Sequence, residues 1–193
     1  MRVIAGSAGG IRLAVPKHGV RPTMDRVKAA IFSSLGEAIV GARVLDLFAG
    51  SGALGIEALS RGAASVIFVE NDRQSAEAIE ENLAKTKLEG RVLRQDVFDF
   101  LRPRSNARKF QIIFADPPYE KAHNETHTDK LLNNTSLPQL LEPGGVFVLE
   151  KPPGETLPDL QLWRVVRQKA YGGATEVLFL TKPATEDRQS EIR

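Results

Sequence analysis

Asp116-Pro117-Pro118-Tyr119 sets a carboxylate, two stiffened peptide units and an aromatic ring side by side. The stretch follows Phe110-Gln111-Ile112-Ile113-Phe114-Ala115, an apolar run that reads as a buried strand. Proline fixes φ and has no N–H to donate. The carbonyls of Asp116 and Pro117 are therefore available to accept from a ligand. Tyr119 offers a face for stacking. A flat ring with an exocyclic amine matches all three features, and a nucleobase is such a ring.

A second group of residues stands upstream. Gly50-Ser51-Gly52-Ala53-Leu54-Gly55 fits G-x-G-x-x-G between a predicted strand and a predicted helix. That context suits a loop whose backbone passes close to a nucleoside-bearing cofactor. Tight strand-to-helix packing is the alternative use of the same glycines. Asp46 decides between cofactors. A dinucleotide would lay its pyrophosphate on the helix N-terminus here, and a carboxylate beside it would repel the phosphates. S-adenosylmethionine (SAM) brings an ammonium and a sulfonium instead, which a carboxylate attracts directly or through water. Asp46 could equally bond its own loop.

Glu70-Asn71 ends the next strand, where an acid can accept from both ribose hydroxyls. NAD would use such an acid as well. Asp96 follows the third strand and could accept from an adenine amino group, with Val97 or Phe98 against the ring. It could also cap the helix that begins near Val97, and the two roles are compatible. The glycine loop, Glu70, Asp96 and Asp116 each follow a different successive strand. In a parallel sheet those ends share one edge, the edge where ligands bind in open α/β folds. That joint placement is more specific than any single motif.

His123 and His127 stand four apart but lack H-E-x-x-H and a third ligand, so no metal site is expected. The absence of cysteine excludes disulfides and thiolate metal sites. No apolar run approaches the length of a membrane span, and no export signal is present. A cytoplasmic protein is the expectation. The net charge of +2 conceals an asymmetry: residues 1–43 hold seven Lys or Arg against two acids, and the remainder 19 against 22. A basic N-terminal fifth suggests an arm facing a polyanion.

The elements that must position these groups alternate. Residues 1–20 read as a hairpin around a glycine-rich turn, Gly6 to Gly10. Thr23 is a candidate N-cap for a helix with Val27, Ile31 and Leu35 on one face, ended by Gly36. Strands are expected at Val44–Phe48, Ser65–Val69, Arg91–Arg94, Phe110–Ala115 and Gly145–Leu149. Two more are expected at Leu160–Val166 and Thr175–Leu180. Helices are expected at Ala53–Ser60, Asp72–Lys87 and Thr128–Leu141. Alternation of this kind implies βαβ units and a mostly parallel sheet, so the fold class is α/β and Rossmann-like. Trp163 is expected in the core. The domain reading is a hairpin extension at 1–20, a catalytic domain at 21–183 and a polar tail at 184–193.

On these residues the chain resembles the class I SAM-dependent methyltransferases of the amino-methylating, Asp/Asn-Pro-Pro-Tyr type. More narrowly it resembles the bacterial RsmD family of small-subunit ribosomal RNA guanine-N2 methyltransferases. The narrower likeness rests on Arg2-Val3-Ile4-Ala5-Gly6, Gly10-Ile11-Arg12-Leu13, Arg21-Pro22-Thr23-Met24-Asp25-Arg26-Val27-Lys28 and Asp46-Leu47-Phe48-Ala49-Gly50-Ser51-Gly52. It implies a seven-stranded sheet with the last strand antiparallel and helices on both faces. It also implies SAM as cofactor and a guanine of 16S rRNA, within the small subunit, as target. The cofactor set is then Asp46, Phe48, Gly50, Gly52, Glu70, Asn71, Asp96 and Val97, and the catalytic set Asp116, Pro117, Pro118 and Tyr119. Arg2, Arg12, Arg21, Thr23, Arg26 and Lys28 are the expected RNA contacts, and a monomer is expected. The rival readings are a DNA adenine-N6 or cytosine-N4 methyltransferase, an NAD-dependent oxidoreductase, and a non-catalytic RNA-binding module.

Overall fold

β1 (Arg43–Leu47) pairs in parallel with β2 (Ser65–Glu70) on one side and β4 (Phe110–Ala115) on the other. It therefore sits at the point where the strand order reverses. The computed structural model describes residues 1–15, 24–103, 108–119, 125–171, 173 and 175–183. The sheet has seven strands in the order β3-β2-β1-β4-β5-β7-β6, with β3 at Arg91–Arg94, β5 at Leu141–Lys151, β6 at Arg164–Tyr171 and β7 at Thr175–Thr181. β7 runs antiparallel to both of its neighbours. The other strands run one way, so their C-terminal ends share an edge.

Two cores lie on opposite faces of the sheet, as expected when helices cover both. One packs the N-terminal residues Val3, Ala8 and Leu13 with α1 (Met24–Leu35), α2 (Ala53–Ser60) and α3 (Arg73–Thr86). The other packs α4 (Val97–Phe100), α5 (His127–Leu132) and α6 (Leu137–Leu140), and includes Trp163 as expected. β1 is buried from Val44 to Leu47, which is why its sequence shows no alternation.

Three expected elements differ. The helix predicted over 128–141 is two short ones, α5 and α6. Asn134 Oδ1 accepts from the amides of Ser136 and Leu137, 3.0 and 2.9 Å away, and starts a new turn. Pro138 sits in its first positions, where a missing N–H costs nothing. The strand predicted at 160–166 begins only at Arg164. The apolar stretch before it turns back, and Trp163 packs against Phe147 with ring centroids 5.0 Å apart. The strand itself is polar because β6 is an edge. Finally, β5 is longer than 145–149. Its register with β4 jumps from Phe110↔Leu141 to Ile112↔Val146, so residues 142–145 bulge out of the ladder.

The hairpin is present as a short ladder. Val3 N donates to Ile11 O, Gly10 N to Val3 O and Leu13 N to Met1 O, while Arg2 bridges Arg12. Its position is fixed by α2 and α3. Glu57, fully buried, accepts from the amides of Ile4 and Ala5 at 2.7 and 3.1 Å. Ser60 engages Ala5 and Ala8. Asn82 bonds both backbone groups of Ala14 and also Ser51 O, 3.0 Å away in the glycine loop. The N-terminal segment is thus joined to the edge that carries the site. Residues 16–20 and 184–193 fall outside the described residues.

Candidate active site

A cleft of about 690 Å³ opens on the C-terminal edge of the sheet. Phe48, Gly50, Glu70, Asp96, Asp116 and His127 are among its walls. A narrower hollow of about 70 Å³ continues past the glycine loop and shares Phe48, Gly50 and Asp116 with it. Met1, Lys28, Asp46 and Glu150 line that end.

The loop between β1 and α2 is built for close approach. Gly50 has φ +55, and a Cβ there would meet nothing within 4 Å, so the cleft faces bare backbone. Phe48 holds φ 54 without being glycine, a conformation that bulky side chains rarely keep outside functional sites. Gly55 serves the packing use instead. A Cβ there would lie 2.2 Å from the Phe68 ring, so its absence lets α2 lie close on the sheet.

The carboxylates divide by environment. Asp46 is buried, and its Oδ2 accepts from Gly55 N at 2.9 Å. The loop-bonding role is therefore real, while the side chain still lines the narrow end. Burial pushes its pKa well above the ordinary carboxylate value, opposed by the Gly55 amide and reinforced by the nearby charges of Asp116 and Glu70. Glu70 clasps the edge: Oε2 accepts from Gly50 N at 2.7 Å and Oε1 from Asp72 N at 2.8 Å. Asp96 caps α4, with Oδ1 accepting from Phe98 N and Asp99 N. It also lines the cleft with Val97 and Asn71, so both of its expected roles are compatible with the structure.

His127 has a place in the cleft that the sequence did not suggest. Weighed in the sequence only as a metal ligand, it stacks on Phe98 (centroids 5.7 Å apart, planes 7° apart) and meets Phe48 edge-on at 5.5 Å. These three rings form an apolar wall beside Asp96. No cluster able to hold a metal ion occurs among the described residues, and His123 lies outside them. No sequence signal links Phe48, Phe98 and His127, because they come from three separate elements.

Asp116 closes β4 and touches both hollows. Pro117 is buried and Pro118 is exposed on the cleft wall. Tyr119 is anchored rather than loose: its hydroxyl donates to Thr175 Oγ1 at 2.7 Å and lies 3.3 Å from Lys151 O. Lys151, also buried, pairs with Glu176 at 2.7 Å and donates to the carbonyls of Pro152 and Glu155.

The expected RNA contacts separate. Arg2, Arg12 and Arg26 are exposed. Arg21 and Thr23 lie outside the described residues. Lys28 is corrected by the structure: it is only 3% exposed, pairs with Glu57 at 3.1 Å and donates to Arg2 O at 2.6 Å. Its burial lowers its pKa, against the pull of Glu57. A lysine held this way braces the hairpin and cannot reach a phosphate in solvent.

The cofactor preference can be tested on these walls. Six carboxylates (Asp46, Glu70, Asp72, Asp96, Asp116 and Glu150) line the two hollows, against the basic Arg73 and Lys28. Lys28 is paired with Glu57 and Arg73 with Glu77, so among the described residues neither basic side chain on these walls is left for a diphosphate. The walls fit a cofactor with an adenosine end, an ammonium and a sulfonium.

Fold and site together define a class I SAM-dependent methyltransferase. Residues 1–180 match the family described as conserved hypothetical protein 95. A provisionally assigned rRNA methyltransferase of Bacillus subtilis, YlbH, is 39% identical over 94% of this chain and 99% of its own. The ribosomal RNA small subunit methyltransferase D of Haemophilus influenzae is 35% identical over 89% of each chain. The chain belongs to this ribosomal RNA small subunit methyltransferase D family. Among solved structures, the 16S rRNA guanine-N2 methyltransferase of Thermus thermophilus (RsmC), in complex with AdoMet and guanosine, superposes with a TM-score of 0.69. It is 28% identical, over 87% of this chain and 45% of that one.

Proposed function

We propose that this protein methylates the exocyclic N2 amine of a guanine in 16S rRNA. We further propose that it does so as a cytoplasmic monomer acting on the small ribosomal subunit. The observation that carries the reading is the place of Asp116 in both hollows, where the wide cleft meets the narrow one. The names of the relatives support rRNA as substrate, and the guanosine complex of the Thermus enzyme supports the base. The sheet's two faces are covered by the chain's own helices, which supports a monomer. No helix among the described residues is long and apolar enough to cross a membrane.

SAM, when bound, supplies a methyl group on a sulfonium. Asp46 and the backbone of Gly50 and Gly52 would hold its amino-acid end, Glu70 and Asn71 its ribose, and Asp96 and Val97 its adenine. The acceptor amine is a weak nucleophile because its lone pair is delocalised into the ring. The Asp116 carboxylate and Pro117 carbonyl accept hydrogen bonds from its two N–H groups, favour a pyramidal nitrogen and stabilise the charge that develops there. Transfer would join the methyl carbon to that nitrogen and leave the donor as its uncharged thioether, and the nitrogen would then lose a proton to solvent. Positioning alone could contribute about 7–11 kcal/mol. Tyr119 offers a stacking face to a base that must leave its own stack, which costs a few kcal/mol.

The test is incubation of the protein with labelled SAM and, separately, small subunits, naked 16S rRNA and duplex DNA. N2-methylguanosine in digests of the ribosomal substrates is the expected product. Label in DNA alone would overturn the reading. Asp116→Ala should still bind SAM and lose at least about 10²-fold in turnover, the scale for removing one preorganised polar contact.

A further inference from the structure

The N-terminal fifth is the basic region that the chain advertises, yet the described structure offers only three exposed cations there: Arg2, Arg12 and Arg26. A second concentration lies at the opposite end of the sequence. β6 carries Arg164, Arg167 and Lys169 and no acid in its eight residues. All three are exposed, and none forms an ion pair among the described residues. β6 is the outer strand of the sheet, hydrogen-bonded only to β7.

We propose that β6 is an RNA-docking strip that guides the substrate backbone to the catalytic edge. The proposal rests on the reading of an RNA substrate. Three relationships support it. First, the strip leads to the site. Tyr171, its last residue, pairs with Thr175, whose Oγ1 receives the Tyr119 hydroxyl. Second, its cations are set by aromatic rings rather than by acids. The Arg167 guanidinium lies 6.0 Å from the Phe179 ring centroid, and Lys169 Nζ lies 5.6 Å from that of Tyr171. Side chains held over rings keep their charge available to a phosphate. Third, the face is shared. Phe179 and Tyr171 belong to the core beneath α1, the helix that carries Arg26. Alternate residues on a strand repeat about every 7 Å, so Arg167, Lys169 and Tyr171 form a row pointing at the catalytic loop. The nearest acid on β7, Glu176, is already neutralised by Lys151.

Basic residues on an edge strand also discourage edge-to-edge pairing between molecules, and the experiment separates the two uses. The double variant Arg167→Gln, Lys169→Gln is compared with wild type in the full chain. Methylation of small subunits is followed at several RNA concentrations, and binding of a 16S fragment is titrated against salt. The expected result is a KM for RNA raised about tenfold with kcat retained at saturation, unchanged SAM affinity, and an unchanged melting temperature. The log–log salt slope should become shallower by about 1.4–1.8, the release of two counterions. A wild-type KM and slope in the double variant would overturn the proposal, and so would self-association without loss of RNA affinity. If wild type itself fails to modify RNA, the substrate reading falls first. If wild type is active and the variant matches it, only the docking strip falls.

Discussion

The Tyr119 hydroxyl and Thr175 Oγ1 lie 2.7 Å apart, although 56 residues separate them in sequence. This bond ties the end of the catalytic motif to the one antiparallel interior strand of the sheet. Thr175 in turn lies 3.2 Å from Lys151 O, and Lys151 anchors the segment that follows β5. Tyr119 can present a fixed ring to a base only while this support holds. Thr175→Val keeps the shape and removes the acceptor. It should lower kcat/KM by about tenfold, matching a lost hydrogen bond of about 1–1.5 kcal/mol, while calorimetric SAM affinity stays at the wild-type value. Steady-state kinetics on small subunits checks the first part.

Asp46 makes cofactor affinity pH-dependent. Its raised pKa means that the native state keeps a proton the unfolded chain has already lost. Between the unfolded and folded values, native stability therefore falls as pH rises. A cationic cofactor favours the ionised carboxylate, so SAM binding releases that proton and tightens as pH climbs through the same window. Titration calorimetry in two buffers of different ionisation enthalpy should show the release. Asp46→Asn should abolish it, flatten the stability profile and weaken SAM binding by roughly ten- to a hundredfold, the scale of a charge-assisted contact.

Glu57 holds four partners in a fully buried position: two hairpin amides, Lys28, and Arg61 at 2.7 Å. Removing one member of a buried charge network leaves the others uncompensated, which costs about 3–5 kcal/mol. Glu57→Ala should lower the unfolding free energy by that amount in denaturant titrations. It should also speed proteolysis of the N-terminal segment. Equal cleavage rates in variant and wild type would show that the hairpin is held by other contacts.

Gly6 offers a milder probe of the same junction. Its φ is +84, and a Cβ would fall 1.8 Å from Ser60 O. Gly6→Ala must therefore displace the hairpin from α2. Loss of protection at the amides of Ser7 and Ala8, which donate to Ser60, is the expected signature in hydrogen exchange. The melting temperature should drop as well, by the few degrees that about 1–3 kcal/mol of local strain implies.

Lys28→Gln separates a phosphate contact from a buried brace. An exposed phosphate contact would flatten the salt dependence of RNA binding. A buried brace would instead lower stability and leave that slope unchanged, and the second outcome is expected.

Much of the edge was legible beforehand because its signals are local. An apolar run of strand length followed by a glycine pair or a carboxylate states both an element and its end. The order in which Gly50, Glu70, Asp96 and Asp116 recur after such runs placed them along one rim. Where the signal was hydrophobicity alone, it misled. The stretch 160–163 feeds the core through Trp163, and the true strand beside it is polar because it is the edge of the sheet and mostly exposed.

The linear chain determined the strand-and-helix alternation and the kinds of groups at the strand ends, since backbone preference and periodicity act over a few residues. Only tertiary packing decided what surrounds each charge. Lys28 lies within a basic segment yet is buried because Glu57, 29 positions away, meets it in the interior. Asp46, which the sequence left as either a ligand group or a bond to its own loop, lines the hollow and is desolvated as well. Desolvation depends on neighbours brought from distant parts of the chain, and no short stretch of residues encodes that.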